Sequence, residues 1–134
     1  MNDRSDSLLY VRNKIKNIKS FTSVSIQEHF QNETLRPILK FQNSLFINIF
    51  KDYINRRKGL FYTLNNTEKL NYIENALIKD HKFNNLIKGV IIGHFTINEY
   101  KSYQSNISDL KKRITTMVIK RLKDQIHLFE NNLC

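Results

Sequence analysis

Residues 65–79 read NNTEKLNYIENALIK and combine a complete helix-start signal with apolar residues at helical spacing. The side chain of Asn65 can accept a hydrogen bond from the amide of Glu68, while the carboxylate of Glu68 can accept one from the amide of Asn65. This reciprocal pairing, the capping box, is typical of helix N-termini. Apolar side chains then recur on one side of the helix, at Leu70, Ile73 and Leu77. The stretch therefore predicts a helix over residues 66–79.

The same signal precedes two further apolar runs, at Ser25/Glu28 and at Thr96/Glu99. The one strand-like stretch, residues 89–95, has no partner segment with which it could form a sheet. We therefore interpret it as a buried connection between helices. Together the three start signals predict an all-α fold, a compact bundle of four to five helices.

A chain of 134 residues with 40% hydrophobic content fits one domain with its own core. Residues 1–24 carry scattered apolar positions among basic ones and are expected to form an N-terminal basic arm. The helical bundle domain is expected to span residues 25–130, followed by a tail at residues 131–134. The proline at position 37 either lies in the first turn of a new helix after Thr34 or kinks one longer helix, because it removes an amide and clashes with the preceding turn. Of the two, we expect a break near residues 34–37.

The helix that follows begins near Ile38 and carries apolar side chains around more than half of its circumference. This width predicts a central position in the bundle. Ile47 and Ile54 lie away from its main apolar stripe, which predicts an exposed apolar surface. We therefore expect these two residues to form an interface between copies of the chain, in a homo-oligomer of unspecified number. The helix is expected to end in a left-handed cap at Gly59, after a basic triplet.

A last helical region is predicted over residues 97–129, with a break near residues 105–108. Apolar side chains occupy one side of it and basic side chains the other. Arg121 departs from this pattern because it falls on the apolar stripe. A charge in that position needs a partner, and Glu74 and Asp80 are the candidate carboxylates.

The formal net charge of +10 favours a nucleic-acid partner. The densest cationic surface is predicted on the last helical region, at Lys112, Arg113, Lys120 and Lys123. Lys112, Lys120 and Lys123 share one helix face and can follow a phosphate backbone. No helix-turn-helix or RNA-binding motif surrounds them, so a solvated face is the preferred interpretation of these charges and nucleic-acid binding is the alternative. The abundance of Lys, Asn, Ile, Tyr and Phe also fits an AT-rich genome, which would raise the lysine content without selection for binding.

Residues with catalytic or metal-binding chemistry are few. The four histidines, at positions 29, 81, 94 and 127, form no metal-binding spacing. No serine lies in a nucleophile elbow. We therefore predict no catalytic residues, no metal site and no cofactor. The candidate lining of a small-molecule pocket is Arg36, His94, Glu99 and Tyr100, which combine acid-base and polar groups beside apolar residues.

The compartment is inferred from what the sequence does not contain. No apolar signal stretch follows the initial Met, and no window reaches the roughly 18 consecutive apolar residues of a membrane span. The single cysteine, Cys134, fits a reducing compartment. We therefore expect a cytoplasmic protein without a membrane partner.

Several segments of the chain carry a resemblance to a known family. They are FQN (30–32), TLRPILK (34–40), YIEN (72–75), GHFT (93–96) and EY (99–100), with RSDSLL (4–9) and Lys112-Arg113. These segments resemble those of a bacterial family of small, uncharacterised proteins that is sometimes labelled "glyoxalase", and the likeness covers nearly the whole chain. The resemblance implies a small all-helical bacterial protein and no mechanism. True glyoxalases hold a divalent metal with ligands on strands of βαβββ units, and this sequence predicts no such strands.

On these grounds we interpret the chain as a non-enzymatic, self-associating interaction or regulatory module. The alternative is a nucleic-acid-binding protein that uses the basic last helix. A third hypothesis is a small-molecule-binding or lyase-type enzyme centred on His94. The residues alone identify neither a substrate nor a partner.

Overall fold

The computed structural model describes residues 3–15 and 25–130, which form helices and turns without any strand. The predicted all-α class is therefore confirmed. A π-helical turn joins α2 to α3, and turns at Gln42 and Asn106 divide longer helical regions, so this part of the chain has more helices than the four to five predicted. The helices are α1 (Asp3–Ile15), α2 (Ile26–Phe30), α3 (Arg36–Phe41), α4 (Asn43–Arg56), α5 (Asn66–Ile78), α6 (His81–Ile92), α7 (Ile97–Ser105) and α8 (Ile107–Asp124).

The three predicted start signals all lie at helix N-termini. The Asn65 side chain accepts a hydrogen bond from the amide of Glu68 at 2.9 Å, and the Asn65 amide donates to the Glu68 carboxylate at 3.1 Å. A complete capping box is also present at Thr96, before α7. At Ser25 the hydroxyl accepts a hydrogen bond from the amide three residues on, before α2. These side chains satisfy amides that have no partner within the helix, and so define where each helix begins.

The predicted break near residues 34–37 is wrong, because the helix continues through Pro37. The amide of Arg36 donates to the carbonyl of Gln31, five residues back, as in a π turn. A π turn widens the helix locally, which leaves room for the proline ring against the preceding turn. Residues 26–41 therefore form one helical rod.

The core is centred on Phe50 of α4, whose side chain is fully buried. Its ring is surrounded by five aromatic rings at centroid distances of 4.9 to 6.3 Å, those of Tyr53, Phe61, Tyr72, Phe83 and Phe129. Most of these pairs have the edge-to-face or tilted geometry that aromatic side chains prefer. The rings come from α4 itself, from α5, from α6, from the segment between α4 and α5, and from the segment that follows α8. This arrangement gives α4 the central position predicted for it.

The predicted oligomer interface at Ile47 and Ile54 is wrong, because both side chains belong to the core of the single chain. Ile47 is 6% exposed and Ile54 is fully buried. The turn at Gln42 interrupts the helix, so the phase of α3 does not continue into α4. The large apolar side chains that remain exposed in this region are instead Phe41 and Leu45.

The end of α4 agrees with the sequence pattern. The chain leaves the helix after Arg56 and turns through two left-handed residues, Lys58 (φ 63°) and Gly59 (φ 66°). The amide of Gly59 donates to the carbonyl of Ile54 at 3.1 Å. The predicted left-handed cap at Gly59 is therefore confirmed.

The predicted connection over residues 89–95 is wrong in its first half. Helix α6 continues through Gly89 and ends at Ile92. A glycine inside a helix costs about 1 kcal/mol relative to alanine, and full burial of the Ile91 side chain outweighs this cost.

The predicted N-terminal basic arm contains α1, which packs against α3. Arg4, Leu8 and Arg12 recur every four residues along α1 and so share one side of the helix. Arg12 is 6% exposed although it carries a charge. The remainder of the predicted arm after α1, and the predicted tail at residues 131–134, lie outside the described residues.

Candidate functional site

Helix α8 has two opposite faces. Its buried side chains recur every four residues, at Leu110, Ile114, Val118 and Leu122. The exposed side chains Lys112, Thr116 and Lys120 follow the same spacing on the opposite face. Helix positions four residues apart lie above one another. The apolar face therefore fixes α8 to the bundle, and the basic face is presented to solvent.

A groove of about 680 Å³ runs along one side of α8, between this helix and the rod formed by residues 26–41. We call it the arginine groove. Its cationic lining consists of Arg36, Lys112, Arg113, Lys120 and Arg121, and its neutral lining includes Gln31, Leu39, Met117 and Gln125. Charged and amide side chains therefore stand beside a partly apolar floor.

A second groove, of about 740 Å³, runs along the other side of α8, against α5 and α6. We call it the lysine groove. Its cationic lining consists of Lys88, Lys111, Lys112, Lys120 and Lys123. Burial lowers the pKa of Lys88, and the charge of Lys111 lowers it further. Neighbouring cations in this groove therefore repel one another.

Positive charge dominates both grooves. Among the described residues, eight Lys and Arg side chains and three carboxylates line them, an excess of five positive charges. Each carboxylate is engaged by one cation, in the pairs Arg113–Asp109 (2.8 Å), Lys120–Asp124 (3.0 Å) and Lys123–Glu74 (3.2 Å). Such solvent-exposed pairs contribute little to stability and weaken with salt. The face of α8 is thus cationic after its own ion pairs are counted.

Arg121 is partly buried beside the arginine groove and forms no ion pair with a described carboxylate. Its guanidinium contacts Asn43 Oδ1 at a long 3.4 Å, and that oxygen already accepts a hydrogen bond from Gln125 at 2.8 Å. Burial lowers the pKa of Arg121, and the charge of Arg36 lowers it further, whereas Asp124 raises it. Arg121 is therefore a partly desolvated cation next to another arginine.

The predicted pairing of Arg121 with Glu74 or Asp80 is wrong. Glu74 lies on α5 and binds Lys123, while Asp80 binds Arg57 at 2.9 Å. Arg121 faces α3 and α4 on the other side of α8, so neither carboxylate is within its reach.

Asp80 belongs to a separate cluster that joins α4 to α6. It accepts hydrogen bonds from the Tyr53 hydroxyl at 3.0 Å and from the Phe83 amide at 3.1 Å. The guanidinium carbon of Arg57 lies 3.5 Å from the centre of the Tyr53 ring. Burial and the hydrogen bond to Asp80 raise the pKa of Tyr53 to about 12. These groups satisfy one another, which supports a structural role for the cluster.

The structure places all four predicted nucleic-acid residues on α8 beside the grooves. Arg113 also donates to Gln31 at 2.9 Å, which ties α8 to the π turn. Sequence reasoning missed two cations that α3 and α6 bring to this face, Arg36 and Lys88. They are distant from α8 in sequence, so no linear pattern connects them with it.

The predicted small-molecule pocket does not form. Arg36 lines the arginine groove, whereas Glu99 lies beside α1, in a different cavity lined also by Arg12 and Thr34. Tyr100 is exposed, and its hydroxyl accepts a hydrogen bond from Gln104 at 2.7 Å. The four candidate residues are therefore not brought together around one space.

His94 packs between the helical rod and α1. Its Nε2 lies 2.6 Å from the side-chain nitrogen of Gln42, and its ring meets that of Phe41 edge to face. Burial lowers the pKa of His94, and the charges of Arg12 and Arg4 lower it further. The imidazole is therefore neutral at pH 7 and can accept a hydrogen bond from Gln42.

The carboxylate of Glu99 has partners on three different segments of the chain. Its carboxylate forms an ion pair with Arg12 and accepts hydrogen bonds from the Thr34 hydroxyl at 3.0 Å and from the Thr96 amide at 2.9 Å. Burial alone would raise the pKa of Glu99, but these partners together hold it below the usual value. Arg12 also donates to the carbonyl of His94 at 2.7 Å. Glu99 therefore anchors α1, a role that sequence reasoning did not assign to it.

The described residues show neither a metal-binding cluster nor a membrane-spanning helix. No group of three or more His, Cys, Asp or Glu side chains is placed there to hold a metal ion. No helix there has the length and apolar character to cross a membrane.

No family model, curated protein or solved structure matches the chain. The family likeness seen in the sequence stays a resemblance. Function therefore has to be argued from the geometry and charge of the site.

Proposed function

We propose that this protein binds nucleic acid, with the basic face of α8 lying along the phosphate backbone. The observation that carries the proposal is the excess of five positive charges lining the two grooves on either side of α8. A cationic face of this kind releases counterions from a polyanion, which supplies most of the free energy of sequence-independent binding.

The spacing along α8 suits a phosphate backbone. Lys112 and Lys120 are eight residues apart, which corresponds to about 12 Å along a helix. Successive phosphates of one strand in a duplex are spaced by about 3.4 Å along the axis. Measured along the duplex axis, the distance between the two lysines therefore covers about three to four phosphates of one strand. The second groove adds cations on the flank.

The composition of the grooves favours contact with phosphates over contact with bases. No Phe or Tyr lines either groove among the described residues, so the aromatic stacking of single-strand binding proteins is not offered here. Lys and Arg contacts to phosphate position a nucleic acid without reading its sequence. We therefore expect binding that tolerates different sequences.

The test compares two double variants with the same change of charge. Lys112→Gln/Lys120→Gln removes two exposed lysines of the basic face, and Lys82→Gln/Lys101→Gln removes two exposed lysines that line neither groove. Fluorescence anisotropy with a labelled oligonucleotide measures the affinity. The first variant should weaken binding on the order of tenfold at 0.1 M salt, and the second should change it little. Equal losses would show that net charge alone is responsible and would overturn the proposal.

Self-association stays a prediction that lacks its original support, because Ile47 and Ile54 are in the core. Light scattering on the wild-type protein measures it directly. The geometry around His94 does not bring the candidate pocket residues together, so it adds no support for an enzyme.

A further inference from the structure

The surroundings of Arg121 are unfavourable for a cation in the absence of a ligand. Its guanidinium is partly buried and has no carboxylate partner among the described residues. The acceptor that it contacts, Asn43 Oδ1, also accepts a hydrogen bond from Gln125. Asp124 lies near enough to offset part of this cost, but its carboxylate is engaged by Lys120 at 3.0 Å. A partly desolvated charge without a full partner destabilises the fold.

Arg36 adds to this unfavourable arrangement from the opposite wall of the groove. Its Nε donates to Asn32 at 2.8 Å, which holds the side chain on α3. Both arginines line the same groove, and the positive charge of Arg36 acts against that of Arg121. An anion between the two guanidinium groups would remove the repulsion and provide Arg121 with the partner that it lacks.

We propose that Arg36 and Arg121 form a binding seat for a phosphate monoester in the arginine groove. Two guanidinium groups match the charge of a monoester, about −1.5 to −2 at pH 7, better than the single charge of a carboxylate or a phosphodiester. The planar fork of Arg121 can donate two hydrogen bonds to phosphate oxygens, and Arg36 adds its positive charge from the other side of the groove.

The size of the groove agrees with a ligand larger than phosphate itself. Its volume of about 680 Å³ lies within the range of pockets that hold small organic ligands. Met117 offers an apolar surface, while Gln31 and Gln125 offer amides. The monoester can thus belong to the terminal nucleotide of an oligonucleotide or to a free nucleotide. The inference rests on the proposed function only if the monoester belongs to an oligonucleotide.

The test compares a short single-stranded oligonucleotide that carries a 5′-phosphate with the same oligonucleotide ending in a 5′-hydroxyl. Wild type should bind the phosphorylated form at least fivefold more tightly. Arg121→Gln should abolish this preference, and Arg121→Lys should keep only part of it, because lysine lacks the planar fork. Lys111→Gln/Lys123→Gln removes two cations that line the lysine groove and not the arginine groove. This variant should weaken binding of both forms and leave their ratio unchanged, which separates the seat from the other cations beside α8.

The second experiment measures the melting temperature in the presence of adenosine 5′-monophosphate or of inorganic phosphate. Adenosine is the control for the nucleotide, and sodium chloride at the same ionic strength is the control for phosphate. Either phosphate should raise the melting temperature of wild type in a saturable way and should not raise that of Arg121→Gln. If neither oligonucleotide binds but phosphate raises the melting temperature, the seat is supported as a site for a free nucleotide, and the proposed function fails. Two results together would overturn the seat even if oligonucleotides bind: equal affinity of wild type for the 5′-phosphorylated and 5′-hydroxyl forms, and no rise in melting temperature with phosphate.

Discussion

The side chains of Arg12 and Arg121 are both at least partly buried, but their surroundings give them opposite effects on the stability of the fold. Arg12 is 6% exposed and is paired with Glu99, whose side chain is 18% exposed. Arg121 is paired with no described carboxylate and lies close to Arg36. A buried cation with a full partner holds elements together, whereas one without a partner lowers stability. The first therefore belongs to the fold and the second to the candidate site.

This difference predicts opposite responses to the same substitution. Arg12→Met should lower the free energy of unfolding by about 3 kcal/mol, because it leaves the Glu99 carboxylate partly buried without its cation. Arg121→Met should leave the free energy of unfolding unchanged or raise it, because it removes the repulsion with Arg36. Urea denaturation of both variants at pH 7 measures the two effects. A loss at Arg121 equal to that at Arg12 would show that Arg121 stabilises the fold and would contradict this assignment.

The lowered pKa of Glu99 predicts a pH dependence of stability. Its pKa in the folded protein lies below the ordinary value of 4.5. The ionised carboxylate therefore contributes stability that is fully present above pH 4.5 and is lost as the pH falls through the folded pKa. Glu99→Gln should be less stable than wild type at pH 7, and this difference should shrink as the pH falls below 4.5.

The matched control for this experiment is Asp52→Asn, since Asp52 is 61% exposed in an i,i+4 pair with Arg56. That variant should differ little from wild type at any pH. A constant difference between wild type and Glu99→Gln across the acidic range would contradict the assignment of Glu99 as the anchor of α1.

At the scale of the element, helix starts were predictable and helix continuity was not. Asn65 and Thr96 carry their capping partners three residues on, so the signal is local and needs no tertiary information. Continuity depends on the surroundings. Pro37 is accommodated by a π turn and Gly89 by burial of α6, and the local sequence does not reveal either compensation. The turn at Gln42 also rotates the apolar face of α4 relative to that of α3, which brings Ile47 and Ile54 into the core.

The corrected phase of α4 predicts the result of truncating Ile54. Ile54→Ala should lower the free energy of unfolding by about 2 to 5 kcal/mol, because the side chain is fully buried. Ile78→Ala on α5 is the matched control, since Ile78 is 52% exposed and should cost far less. Chemical denaturation with light scattering separates the two interpretations of Ile54. A change of oligomeric state without loss of stability would restore it as an interface residue.

At the scale of the whole molecule, the bundle separates an aromatic core around Phe50 from a cationic face along α8. The sequence predicted the cations of α8 because they recur on one helix face. It did not predict Arg36 or Lys88, which reach that face only through packing of α3 and α6. The grooves on either side of α8 are likewise products of packing. Tertiary structure therefore decides whether a basic helix becomes a potential binding surface.

The salt dependence of oligonucleotide binding tests this account most directly. Affinities of wild type for a generic DNA and a generic RNA oligonucleotide should fall linearly as the logarithm of salt concentration rises, because phosphate contacts release counterions. The slope should decrease by about one for each of Lys112 and Lys120 that is replaced by Gln, and should stay unchanged in Lys82→Gln/Lys101→Gln. Absence of binding at low salt, or a slope that the Lys112→Gln/Lys120→Gln variant shares with wild type, would contradict the assignment of α8 as a nucleic-acid interface.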